Sequence, residues 1–193
     1  MKIDIILAGV GGQGILSIAA IIGVAALESN LFLKQAEVHG MSQRGGDVQS
    51  HLRLSDQEIY SDLIPQGKAD MIISVEPMES LRYLPMLSPD GWLITNTKPF
   101  INIPNYPAIE DVLAEVKSYK HNIAIDADNI AQELGSPKSA NMVILGAASP
   151  FLDIPFEKFE NAIKSIFGKK GDDVVNVNLD CLRKGREFAE KNK

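Results

Sequence analysis

Two glycine-bearing segments hold the residue types that could do chemistry. In the first, Gly9, Gly11 and Gly14 stand at G-x-G-x-x-G spacing within Gly9-Val10-Gly11-Gly12-Gln13-Gly14, between the apolar run Ile3 to Leu7 and the apolar stretch Ile15 to Glu28. At a strand-to-helix turn, glycines permit a tight bend and close backbone approach, and the free N–H groups of the helix start attract an anion. A dinucleotide site would also want an acidic residue about 20 positions on, at a strand end, for the ribose hydroxyls. Glu37 is the candidate and its fit is loose. The alternative is that the glycines serve only close strand-to-helix packing.

The second segment is Glu37-Val38-His39-Gly40-Met41-Ser42-Gln43-Arg44-Gly45-Gly46. Arg44 can fork onto a carboxylate or phosphate, Ser42 and Gln43 can donate hydrogen bonds, and Gly45-Gly46 leave the backbone open to a ligand or neighbouring chain. In the plainer reading Arg44 pairs with Glu37 across an ordinary turn. His39 and His51 have pKa values suited to acid–base work, but spacing sets no carboxylate or hydroxyl beside either. Asp126 and Asp128 either face a ligand crevice or cap a helix. Cys181, beside Leu179 and Leu182, reads as an inert buried thiol, and Met78, Met86 and Met142 as core filling.

The elements that must position these segments are set by the apolar pattern. Ile3 to Leu7 reads as a central strand buried on both faces, and Ile15 to Glu28 as a helix apolar nearly all round, either deeply buried or covered by a partner. Further strands are expected at Ala36–His39, Asp47–Leu54 (with one polar face), Ala69–Val75, Gly91–Asn96 after a Pro89-Asp90-Gly91 turn, and Asn122–Asp126. Helices are expected at Met78–Leu87, Glu110–Ser118, Ile130–Leu134, Ser139–Ala148, Pro155–Phe167 and Val175–Lys191, while Pro99, Pro104 and Pro107 mark an irregular crossover. The alternation predicts an α/β fold: a doubly wound, mostly parallel sheet flanked by helices, a single domain over 1–193 with a helical C-terminal portion from about 126.

Composition narrows the function classes. A net charge of -6 and a pI near 5.1 speak against a nucleic-acid partner, which asks for a basic face. The longest apolar stretch, Ile15 to Leu27, is too short for a membrane span, and no secretion signal is expected, so a cytoplasmic location fits. One cysteine cannot hold an iron–sulfur cluster, which takes about four thiolates, and the three histidines show no zinc-ligand spacing, so no metal site is expected.

At its two glycine segments the chain resembles the gamma-type subunit, or domain, of the 2-oxoacid:ferredoxin oxidoreductases. Ile6 to Ile15 is similar to that family's N-terminal signature, and Asn141 to Ala147 to a later family segment. Glu37 to Gly46 resembles the corresponding loop of indolepyruvate ferredoxin oxidoreductase, whereas pyruvate-type relatives usually place tyrosine-glycine-proline-glutamate before their arginine-glycine-glycine. The resemblance implies oxidative decarboxylation of an arylpyruvate such as indolepyruvate, with coenzyme A as acyl acceptor and ferredoxin as electron acceptor. It also implies that thiamine diphosphate and the iron–sulfur clusters sit in a companion alpha subunit, that this chain holds no cofactor alone, and that it is inactive alone. Carried over residue by residue, Gly9, Gly11, Gly12, Gln13, Gly14, Ser42, Gln43, Arg44, Gly45 and Gly46 are expected at a composite active site or subunit interface, with no proton-transfer role assigned. Two other readings stand beside this one: a free-standing Rossmann-type NAD(P)-binding oxidoreductase, and a non-catalytic assembly scaffold.

Overall fold

The computed structural model describes residues 1–39 and 45–193, with His39 described by its backbone alone. Its strands are β1 (Lys2–Val10), β2 (Phe32–His39), β3 (Asp47–Ser55), β4 (Ala69–Ser74), β5 (Leu87–Asn96) and β6 (Asn122–Ile125). Its helices are α1 (Ile15–Leu27), α2 (Pro77–Arg82), α3 (Ile109–Ser118), α4 (Ala127–Glu133), α5 (Ala140–Ala148), α6 (Phe156–Phe167) and α7 (Asp172–Asn192). One six-stranded sheet runs β2-β3-β1-β4-β5-β6. The β1–β4, β4–β5 and β5–β6 pairs are parallel, while β3 runs antiparallel to both β1 and β2. The β2–β3 ribbon therefore inserts its return strand beside β1, where a continuous βαβ unit would put β2.

Alternate residues of β1 face opposite sides of the sheet. Ile3, Ile5 and Leu7 join Leu52, Leu54, Met71, Ile73, Ile94 and Ile123 in a core covered by α1 and by α5, α6 and α7. Ile6, Ile72 and Leu93 face a smaller core with Val116 of α3 and with Ile64. Helices thus lie on both faces, as a doubly wound sheet requires.

Helix α1 buries Ile18, Ile21, Ile22 and Ala25, yet Leu16 and Leu27 remain 56% and 61% exposed, so the chain itself covers only part of its apolar surface. Helix α5 is buried from Met142 to Ala148. It crosses α7 with backbones nearly in contact: a Cβ on Gly146 would lie 2.0 Å from the Leu182 carbonyl oxygen, and one on Gly185 1.9 Å from that of Val143. Cys181 is fully buried at this crossing, where burial pushes its thiol pKa up to about 11.

Several sequence expectations are corrected. Strand β2 begins at Phe32 rather than Ala36, because α1 ends in a turn at Asn30 (φ 56°) that releases extended chain at once. The Met78–Leu87 helix shrinks to Pro77–Arg82, Pro85 confining the next residues to a 3-10 turn at Leu84–Met86. Strand β5 already starts at Leu87, pairing with Ala69 before a register shift brings Trp92 opposite Met71, so Pro89-Asp90-Gly91 is an irregularity within the strand rather than its start.

The polar face of β3 is covered over its second half, at His51 and Arg53, while Asp47 stays exposed. Residues 56–68 pass over it, held by two β3 side chains. Arg53 binds buried Asp4 with two hydrogen bonds (2.7 and 3.1 Å) and donates to the carbonyls of Ser61 and Leu63. His51, 7% exposed, accepts the Ile64 N–H at Nδ1 (2.9 Å). No helix of the described residues is long and apolar enough to cross a membrane.

Candidate functional site

In an open parallel sheet, ligands collect outside the carboxyl ends of the strands. There the chain forms a cleft of about 740 Å³ between the loop after β1, the ends of β4 and β5, the start of α5 and the start of α7. Gly12, Gln13 and Gly14 form one wall, Phe100 and Asn96 another, and Lys138, Asn141 and Lys170 a third.

The glycine loop is shaped by its neighbours. A side chain on Gly9 would lie 2.4 Å from Val75 Cγ2 and 2.9 Å from Ile15 Cδ1, so any other residue there would displace these neighbours. The loop closes on itself: Gln13 Oε1 accepts the Val10 N–H (2.8 Å) while the Gln13 N–H binds the Val10 carbonyl (3.1 Å). Gly14 ends the loop at φ 83°, a conformation costly for any other residue, and starts α1. The first-turn N–H groups of α1 at Ile15 and Leu16 have no intrahelical acceptor. Helix α5 also begins at the cleft, and together with Lys138 and Lys170 the two helix starts make an anion-attracting surface on an otherwise acidic chain.

The two glycine segments predicted from sequence meet here. The Gly11 N–H donates to the Gly46 carbonyl (2.8 Å), and the Gly45 N–H to the Gly11 carbonyl (3.4 Å). Ser42, Gln43 and Arg44 lie outside the described residues. Gly12, Gln13 and Gly14 line the cleft; Gly9 and Gly11 shape the loop behind it.

Other candidates separate cleanly. Asp126 caps α4, accepting the Asn129 N–H, whereas Asp128 lines the cleft and is held by Asn96 Nδ2 at 2.7 Å. His51 is not an acid–base candidate for this cleft. It sits on the opposite sheet face, and burial lowers its pKa against the smaller raising effect of Asp62, so the ring stays neutral with Nδ1 committed to Ile64. Glu37 is exposed on edge strand β2 and pairs with Ser50, which in turn pairs with Leu7. The inserted β3 therefore sets it two strands, about 10 Å, from β1, and the dinucleotide reading loses its ribose acid. Asp47, level with Val10, is already engaged by the Tyr83 hydroxyl (2.6 Å to the nearer oxygen). Lys138 and Lys170 carry no signal in the sequence, and Asn141 only as the first residue of the family-like Asn141–Ala147 segment; the fold brings all three to the cleft beside the glycine loop.

An open α/β sheet flanked by helices, with a glycine loop and two helix starts converging on a cleft at its carboxyl edge, is the class of α/β protein this chain presents. Within it, the family model of pyruvate ferredoxin/flavodoxin oxidoreductase matches residues 4–188, and the chain belongs to that family. It is 36% identical to the indolepyruvate oxidoreductase subunit IorB of Archaeoglobus fulgidus, over 98% of this chain and 96% of that one. Its fold is similar to the pyruvate oxidoreductase subunit PORC of Thermotoga maritima, with a TM-score of 0.74 at 23% identity, covering 97% of this chain and 96% of that one. It is also similar to part of the 2-oxoglutarate:ferredoxin oxidoreductase of Magnetococcus marinus, whose structure holds 2-oxoglutarate, coenzyme A and succinyl-CoA. That match has a TM-score of 0.78 at 23% identity and covers 98% of this chain and 31% of that one.

Proposed function

We propose that this chain is a subunit of an arylpyruvate:ferredoxin oxidoreductase, the indolepyruvate type. The reaction converts an arylpyruvate and coenzyme A to aryl-acetyl-CoA and carbon dioxide, and the electron pair released passes to ferredoxin. The observation that carries this reading is the near-full-length relationship to an indolepyruvate oxidoreductase subunit, joined to the meeting of both family-like glycine segments through the Gly11–Gly46 hydrogen bond. The Glu37 to Gly46 sequence supports the aryl branch of the family.

The single cysteine is buried between α5 and α7 and offers no thiolate set, so the iron–sulfur clusters fall to a companion alpha subunit, together with thiamine diphosphate. That subunit also delivers the electrons to ferredoxin, in the cytoplasm. What the chain itself supplies is the cleft. Its two helix starts and two lysines suit the phosphates of coenzyme A, Asp128 offers an acceptor for a hydroxyl, and the glycine loop lets the ligand approach the backbone. Gly12, Gln13, Gly14, Gly45 and Gly46, with Ser42, Gln43 and Arg44, form this chain's side of the composite site. The cleft opens to solvent and acts only when a partner brings the reacting centre to it, so the isolated chain is inactive.

The test is co-purification of the tagged chain from its native cell, followed by assay of arylpyruvate- and coenzyme A-dependent ferredoxin reduction. Recovery of a thiamine- and iron–sulfur-containing partner with turnover supports the reading. A chain that elutes alone and binds a nicotinamide dinucleotide overturns it.

A further inference from the structure

The segment Lys98 to Pro107, between β5 and α3, has no regular structure, yet its backbone is tied down at a carboxylate kept out of water. Glu76, 1% exposed, lies just after β4 and caps α2: its Oε2 accepts the Glu79 N–H at 2.8 Å. Its Oε1 accepts the Phe100 N–H at 3.2 Å and the Tyr106 hydroxyl at 2.5 Å. Among the described residues no cation pairs with this carboxyl group, and its oxygens are satisfied by these three donors, two of them from one segment.

The same segment is fastened at a second point. Asn102 Nδ2 donates to the Gly45 carbonyl at 2.7 Å, and Gly45 and Gly46 bind Gly11. On the other side Val75, next to Glu76, donates its N–H to Ala8 at 3.0 Å. The connections form a closed ring around one side of the cleft: Ala8, Val75, Glu76, Phe100, Asn102, Gly45, Gly11 and back along the loop. Two members, Val75 and Phe100, line the cleft directly, and Gly12 adjoins the ring.

We propose that Glu76 and Asn102 are positioning residues: they hold segment 98–107 so that Phe100 walls the cleft and Gly45 stays against Gly11, and so set affinity for the anionic cosubstrate. They touch none of the reacting atoms. The identity of the cosubstrate as coenzyme A rests on the function proposed above; the positioning does not.

The experiment uses the assembled complex carrying Asn102→Asp, which keeps the side chain's shape but removes the donor and sets a carboxylate against the Gly45 carbonyl. Asn102→Gln, which keeps a donor, is the rescue. Tyr106→Phe, which takes one donor from Glu76, is expected to speed exchange over 97–107 and raise KM in the same direction, and unchanged exchange there would overturn the role of Glu76. Hydrogen exchange over residues 9–14 and 97–107, the melting temperature, and KM and kcat are read together. Asn102→Asp is expected to speed exchange in both segments and to raise KM for coenzyme A several-fold, up to about tenfold, as loss of one hydrogen bond predicts. It should leave kcat within about twofold and the melting temperature unchanged, and Asn102→Gln should recover most of the KM. Unchanged exchange at 9–14, or a loss of activity that only tracks a lower melting temperature, overturns the proposal. Exchange does not depend on turnover. Faster exchange in a complex that does not use coenzyme A would leave the positioning standing and reject the cosubstrate.

Discussion

Asn141 Nδ2 donates a hydrogen bond to the carbonyl oxygen of Gly14 at 3.1 Å, locking the start of α5 onto the turn that starts α1. This contact, between residues 127 positions apart, brings two helix N-termini to one cleft. A Cβ on Gly14 would lie 2.4 Å from that same Nδ2, at a φ of 83° that disfavours any side chain. Gly14→Ala should therefore cost about 2 kcal/mol or more, combining backbone strain with displacement of Asn141. Thermal melting of the variant should show a drop of roughly 4–8 °C for a chain of this size.

The lysine pair gives a prediction about binding rather than folding. Lys138 and Lys170 are exposed at the cleft rim, so Lys138→Ala with Lys170→Ala should leave the melting temperature within about 2 °C. In the assembled enzyme the same change should raise KM for coenzyme A about tenfold or more, the worth of hydrogen bonds between charged partners. The effect should shrink as salt is added, because the cleft is open and the interaction is screened. An unchanged KM at low salt would remove the phosphates from this wall.

The α5–α7 crossing should be intolerant of one methyl group. With Gly185 facing the Val143 carbonyl oxygen at a would-be Cβ distance of 1.9 Å, Gly185→Ala must push the packed faces of α5 and α7 apart. A loss of about 3 kcal/mol or more is expected, whereas Gly168→Ala, with open space around it, should stay within about 1 kcal/mol. Denaturant unfolding of the two variants side by side checks the contrast.

His51 makes stability depend on pH. Its folded pKa lies below the ordinary 6.5, lowered first by burial and then by Arg53, against the raising effects of Asp62 and Asp4. The unfolded chain therefore binds the proton more readily, and stability present above about pH 6.5 is lost as the pH falls toward the folded pKa. Because Nδ1 accepts the Ile64 N–H, protonation also expels that donor and frees residues 56–68. His51→Asn, whose Oδ1 can accept in place of Nδ1, should lose less stability than the parent between about pH 7.5 and 5. Parallel melting curves of equal slope against pH would contradict this.

The sequence by itself determined the local units of this protein. Ile3 to Leu7 reads as a strand buried on both faces, Gly9 to Gly14 as a turn into a helix, and the Glu37 to Gly46 residues were enough to suggest the family. These are statements about neighbours along the chain, where hydrophobic period, φ preference and missing side chains act directly. The tertiary structure alone decided that β3 runs antiparallel between β1 and β2, which moved Glu37 away from the glycine loop and buried His51 under residues 56–68. It alone chose Asp126 as the cap and Asp128 as the cleft residue, and joined Asn141 to Gly14 and Asn102 to Gly45. The physical reason is that strand order and helix crossings are settled by burying apolar faces from distant parts of the chain. A polar side chain such as Asn141 gains its partner only once that burial has set the backbones in place.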